Sequence, residues 1–161
     1  MAVSLSEAGA TVIAIGRDQA ALTETLGLCA HFEAASSYVC DLTDEVTVQN
    51  TVELICERYG RIDVLVNNAG VANEKFALDT SVSDMRWAID VNVLGTWAMT
   101  RAVAQRMSKL QGLKVINVAS VMGFVQMSGL LSYSVSKAAV VHMTRVLAVE
   151  WARFGITVNC L

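Results

Sequence analysis

The hydrophobic positions of this chain fall into two alternating kinds of segment. Short runs rich in β-branched residues occupy 11–15, 37–40, 62–66, 114–118 and 156–160; longer stretches, at 19–28, 44–58, 83–110 and 132–154, space their apolar residues three and four apart. The longer spacing is that of one helix face, and a short unbroken apolar run suits a strand covered on both sides. Their alternation predicts an α/β fold, a doubly wound parallel sheet covered by helices. Around 44–58, Val48, Val52, Ile55, Cys56 and Tyr59 share one side while Glu53, Glu57 and Arg58 lie elsewhere, as a helix resting on a sheet requires. Asp44 is placed to cap that helix. Residues 1–9 read as the tail of a helix that leads through Gly9 into the first strand. No repeat, low-complexity tract or linker interrupts the pattern, which predicts one domain over residues 1–161.

Composition narrows the function classes. Twelve basic against 15 acidic residues give a net charge of -3, so no basic field is present to hold nucleic acid or an acidic membrane surface. The first cation is Arg17, no apolar run is long enough to span a bilayer, and the expectation is a soluble, cytoplasmic protein with no membrane partner. Cys29, Cys40, Cys56 and Cys160 form no C-x-x-C pair, which predicts buried free thiols and no metal site.

The candidate chemistry starts from Tyr133-Ser-Val-Ser-Lys137, which on a helix sets a phenol and an ammonium on one face within about 6 Å. A cation about 5 Å from a phenol, at an effective dielectric of about 20, favours the phenolate by about 3.3 kcal/mol. That is the order needed for acid/base work near neutrality by a group that ionises near pH 10 when free. Val115-Ile-Asn-Val-Ala-Ser120 ends an apolar strand on a hydroxyl, at the carboxyl edge where ligands of α/β sheets bind. A hydroxyl there can donate to a substrate carbonyl oxygen. Asn67-Asn-Ala-Gly70 runs from a strand into a turn that permits close approach by a flat ligand. Asn92 places an amide inside an otherwise apolar helical stretch, where it bends the helix or holds a water.

Asn67-Asn-Ala-Gly70, the helical Asn92, Ser120 thirteen residues before Tyr133, and Tyr133-x-x-x-Lys137 stand in the order and spacing of one family. The chain resembles the NAD(P)-dependent short-chain dehydrogenase/reductase family across essentially its whole length. The resemblance implies a Rossmann-like fold and hydride transfer between nicotinamide and a carbonyl or secondary alcohol. It implies Tyr133 as general acid/base, Lys137 as the group that activates it and holds the nicotinamide ribose, Ser120 as carbonyl polariser, and Asn92 as the bend whose water links Lys137 to solvent. For the cofactor it implies Asn68, Ala69 and Gly70 beside the adenosine ribose, and Asp41 with Leu42 near the adenine. Gly16 stands where NAD-preferring relatives carry an aspartate, and Arg17 follows it, so NADP(H) is the preferred cofactor with NAD(H) as the alternative. A homo-oligomer formed through the helices at 83–110 and 132–154 is implied as well.

One feature departs from the family pattern. The family carries a first strand and a Gly-rich loop at a helix start, where backbone amides hold the pyrophosphate. No two of the ten glycines here lie closer than six positions, Gly123 and Gly129 being the nearest pair. The resemblance therefore implies a chain truncated at both ends, lacking that mid-sheet strand and the C-terminal strand, with little activity of its own. The alternative is a non-catalytic fragment that serves as an oligomerisation or regulatory partner of a full-length relative. Met122, Phe124, Met127 and Leu130 are expected to line an apolar substrate pocket, with packing of the loop as an equal explanation. Sugars or polyols, 3-oxoacyl thioesters and cyclic ketones all remain open as substrates.

Overall fold

A computed structural model describes residues 1–110 and 112–161. In chain order its elements are α1 (Ala2–Glu7), β1 (Ile13–Gly16), α2 (Gln19–Gly27), β2 (Ser36–Val39), α3 (Glu45–Tyr59), β3 (Val64–Asn67), α4 (Val82–Ile89), α5 (Thr96–Met107), β4 (Lys114–Asn117), α6 (Leu131–Trp151) and β5 (Thr157–Cys160). The α/β alternation appears as read from the hydrophobic pattern, and every strand pairing is parallel. Two of the long helical stretches are subdivided. A π-helical turn, Asp90–Gly95, joins α4 to α5, and a 3-10 turn, Ala152–Phe154, follows α6.

The helix starts follow from side-chain chemistry. Asp18 accepts from the Ala20 and Ala21 N–H groups, and Asp44 from those of Val46 and Thr47, so each holds orphan donors of a first turn. Ser81 and Asp84 form a capping box at the start of α4. By contrast, α6 begins on Leu130, which has no side chain able to cap. Val48, Val52 and Ile55 bury the inner face of α3, and its Tyr59 hydroxyl donates to Ser36 Oγ at 2.8 Å.

The strands form two sheets, β1-β2 and β3-β4-β5. In the first, Val12 and Gly16 carbonyls accept from Ser36 and Cys40, so the parallel alternation turns the backbone groups of Ile13 and Ile15 away from β2. In the second, Asp63 and Asn67 carbonyls accept from Lys114 and Val118, which turns those of Val64 and Val66 away from β4. Both sets face one cleft of about 900 Å³, lined also by Leu22, Val52, Ile55, Met99 and Val103. The cleft lies where the sheet was expected to lack its mid-sheet strand. Every residue of β1 is only partly buried and Val64 is exposed, because no strand among the described residues pairs between the two sheets.

The main core reaches across from Cys40, Val48 and Val52 to the larger sheet. Leu113, Val115, Val103, Met107, Leu147, Ile156 and Val158 pack between β4, β5, α5 and α6. Asn67 and Asn117 sit within this core as a linked pair. Asn67 Nδ2 donates to Thr100 Oγ1 and to Asn117 Oδ1, each at 2.8 Å, and Asn117 Nδ2 donates to Thr144 Oγ1 at 2.9 Å. Each buried amide is thereby paired, as interior polar groups must be. All four cysteines are free, Cys29 and Cys40 buried, Cys56 and Cys160 only partly so.

Candidate functional site

Parallel strands bring their carboxyl ends to one edge, and the loops that leave them carry the residues singled out in the sequence. Arg17 follows β1, Asp41 and Leu42 follow β2, Asn68, Ala69 and Gly70 follow β3, and Ser120 follows β4. Tyr133 and Lys137 lie in the first two turns of α6. A cleft of about 360 Å³ brings Asn68, Gly70, Val118, Ala119, Tyr133 and Lys137 together with Val71 and Ala72.

Lys137 is the most constrained charge in the molecule. It is 4% exposed, its ammonium donates to the Val118 carbonyl at 2.7 Å, and it lies 5.7 Å from the centre of the Tyr133 ring. Burial pushes its pKa below the ordinary lysine value. Among the described residues Val118 is its only hydrogen-bond acceptor. An ammonium has three N–H bonds, so donors remain for a ligand in the cleft.

Asn92 sits in the π-helical turn and is buried. A π turn widens the helix by one residue per turn and commonly marks a functional site. Its amide is fully engaged: Oδ1 accepts from the Val71 N–H at 2.7 Å, and Nδ2 donates to the Val71 carbonyl at 2.9 Å and to Ser136 Oγ at 2.8 Å. The side chain is thus a staple between the turn after Gly70 and α6. Gly70 is close to both groups, since a Cβ there would lie 3.4 Å from Asn92 Oδ1 and from Lys137 Nζ.

Ser120 has extended backbone and its Oγ accepts from the Met122 N–H at 3.2 Å. The hydroxyl proton is left to donate elsewhere. Asp41 accepts from the N–H and hydroxyl of Thr43 at 2.9 and 2.8 Å; these bonds, with the Arg17 guanidinium nearby, hold its carboxyl below the usual range. Arg17 itself is exposed. Leu42 packs against the core, and a Cβ on Gly95 would fall 2.9 Å from Leu42 Cβ. Phe124 and Met127 are exposed, Met122 and Leu130 are half-buried, and none of the four lines the small cleft.

Four contributors escaped the sequence reading. A Cβ on Gly123 would meet the Lys137 carbonyl carbon and oxygen at 3.1 Å, so the loop after Ser120 lies directly on the α6 backbone. Gly95, in an otherwise regular helical stretch, carried the same kind of signal. Asn73 and Ser132 bind each other at 2.5 Å, and polar residues beside a recognised motif were the only hint of that pair.

Comparison with known proteins agrees with this geometry. The family described as short chain dehydrogenase matches over residues 1–161. "Oxidoreductase UcpA" of Escherichia coli (strain K12) is 38% identical over 135 residues, 83% of this chain and 51% of that protein. "D-threitol dehydrogenase" of Mycolicibacterium smegmatis is 36% identical over 128 residues, 80% of this chain and 49% of its own length. The solved structure "ElxO with NADP Bound" superimposes with a TM-score of 0.93 at 29% identity, covering 99% of this chain and 65% of that one. The chain thus spans about half the length of the curated relatives it matches.

Proposed function

Because the chain belongs to the short-chain dehydrogenase family, we propose that its residues carry the catalytic half of an NADP(H)-preferring oxidoreductase that interconverts a small carbonyl compound and its secondary alcohol. The observation that carries this reading is the buried Lys137 ammonium beside the Tyr133 ring, in a cleft that also contains Asn68 and Gly70.

A nicotinamide nucleotide fits the donor set, since Lys137 keeps unused N–H bonds where a ribose hydroxyl would accept them. Asn68, Ala69 and Gly70 would flank the adenosine ribose, Asp41 and Leu42 the adenine, and Arg17 a 2'-phosphate. When bound, the nucleotide supplies or receives the hydride. The protein's own part is proton transfer and positioning. Tyr133 gives its phenolic proton to the carbonyl oxygen on reduction and takes it back on oxidation. Lys137 sets its ammonium 5.7 Å from the centre of the Tyr133 ring. Ser120, whose oxygen already accepts from Met122, donates to the same carbonyl oxygen. Asn92 holds the Gly70–Val71 turn against α6.

No Gly-rich helix start lies among the 161 residues. The chain taken alone therefore binds dinucleotide weakly and turns over slowly. The reading is tested in a relative-length protein that contains these residues. Tyr133→Phe should lower kcat by about 10²–10⁴-fold with nucleotide binding retained; near-parental turnover in that variant would end the assignment. Arg17→Ala should weaken NADPH more than NADH.

A second reading, an oligomerisation partner of a longer relative, is favoured by exposed apolar side chains on the same two helical stretches. Trp87 and Leu94 on one, and Val135, Val146 and Val149 on the other, are all at least 42% exposed. Sedimentation of the 161-residue chain, with and without NADPH, separates the two: self-association without nucleotide binding favours the second.

A further inference from the structure

The N-terminal turns of α6 hold three serines, Ser132, Ser134 and Ser136, interleaved with Tyr133 and Lys137. Their bonding differs sharply. Ser132 is 1% exposed, and its hydroxyl donates to Asn73 Oδ1 at 2.5 Å. Asn73 in turn donates to Asp84 Oδ1 at 3.0 Å, a carboxylate that also takes the Lys75 ammonium and the Ser81 N–H and hydroxyl. Ser136 is 0% exposed; its Oγ accepts from Asn92 Nδ2 at 2.8 Å and donates to the Tyr133 carbonyl at 2.7 Å. Ser134 Oγ is buried with no partner among the described residues.

Ser132 and Ser136 are four residues apart and so share one helix face, and Tyr133 and Lys137 repeat that spacing one residue, about 100°, around the axis. Two anchors one turn apart restrict both the rotation of a helix and its travel along the axis. Their partners come from separate segments, Asn73 from the stretch after β3 and Asn92 from the π turn. The helix also lacks the capping side chain that α2, α3 and α4 possess, so its start has no other local restraint of that kind.

We propose that Ser132 and Ser136, latched to Asn73 and Asn92, are positioning residues that set the rotation of the first turns of α6 and thereby aim Tyr133 and Lys137 into the cleft. The inference rests on the reading of Tyr133 and Lys137 as the reacting pair, yet its test needs neither nucleotide nor turnover. A loosened latch lets water reach Lys137 and frees its ammonium from the burial that now depresses its titration.

The experiment is an NMR titration of the Lys137 side chain in the 161-residue protein and in Ser132→Ala, Ser134→Ala and Ser136→Ala, each with a thermal melt. Tyr133 is the titratable neighbour, so Tyr133→Phe serves as the background in which the shift is repeated. The expected result is a rise of about half a pH unit or more in the Lys137 midpoint for Ser132→Ala and Ser136→Ala, toward the ordinary value near 10.4, with Ser134→Ala like the parent. Should Ser136→Ala not fold, Asn73→Ala breaks the other latch without altering the helix, and the same rise is expected. Lower melting temperatures with an unmoved Lys137 midpoint, or an equal shift in Ser134→Ala, would overturn the proposal by reducing the serines to packing. Failure of the oxidoreductase reading shows separately, as retained turnover in Tyr133→Phe.

Discussion

The two sheets of this molecule are made from similar sequences and end in different states. The β3-β4-β5 sheet surrounds its central strand, and Leu113, Val115 and Asn117 are at most 1% exposed. The β1-β2 sheet has the same β-branched character, yet every residue of β1 is half-buried and Val39 of β2 is exposed. The difference lies in pairing, because β4 is hydrogen-bonded along both edges while β1 and β3 each leave one edge on the cleft between the sheets. Apolar composition makes a strand possible; neighbours on both edges make it rigid. The candidate acid/base pair is built against the rigid half, and the residues expected at the adenine end, Arg17, Asp41 and Leu42, sit on the open half.

Amide hydrogen exchange should expose this contrast most strongly. The Ile116 amide, in the strand bonded on both edges, should exchange roughly a thousandfold more slowly than the Ile15 amide that faces the cleft; equal protection would mean that the cleft is closed in solution. Truncation comes next. Leu113→Ala should cost about 3 kcal/mol in denaturant unfolding, while Ile13→Ala, at a half-buried position, should cost about 1 kcal/mol or less. Gly95→Ala probes the contact between the halves, since its Cβ would meet Leu42 at 2.9 Å and force the turn after β2 to move. A loss of about 1–3 kcal/mol is expected in the same assay.

The smallest effect concerns acid. The Lys75 ammonium first, then the Ser81 hydroxyl and N–H, hold the Asp84 carboxyl well below the usual carboxylate range. A depressed folded-state value means that the unfolded chain binds the proton more readily as pH falls. The stability Asp84 contributes is therefore complete above about pH 5 and lost progressively below it. Lys75→Met should make the fall in melting temperature between pH 5 and pH 3 shallower; an unchanged slope would show that this cluster does not couple to folding.

Much of the fold was legible because hydrophobic period is a local property. All five strands and the four main helical stretches lie where the pattern put them, with ends displaced by at most three residues. Asp44 was legible as a cap for the same reason, a short carboxylate just before a periodic run. The π turn at Asp90–Gly95 was visible only as an odd polar residue, Asn92, in an apolar stretch. Where the apolar side chains of Met122, Phe124, Met127 and Leu130 go was not legible, and they lie outside the small cleft, because local spacing in a loop does not say what will cover it. The latches of Ser132 and Ser136 were invisible, since their partners lie 59 and 44 residues away.

By itself the sequence determined the order and type of the elements, the parallel class of the sheet, and the nearness of Tyr133 to Lys137, because each depends on spacings of two to four residues. Tertiary structure alone decided that Lys137 is buried with donors to spare, and that Asn92 spends its amide on Val71 and Ser136. Those outcomes depend on which distant segments meet and on which backbone edges find a partner. The Tyr–Lys spacing thus specifies a pair, and the packing around it specifies where that pair points.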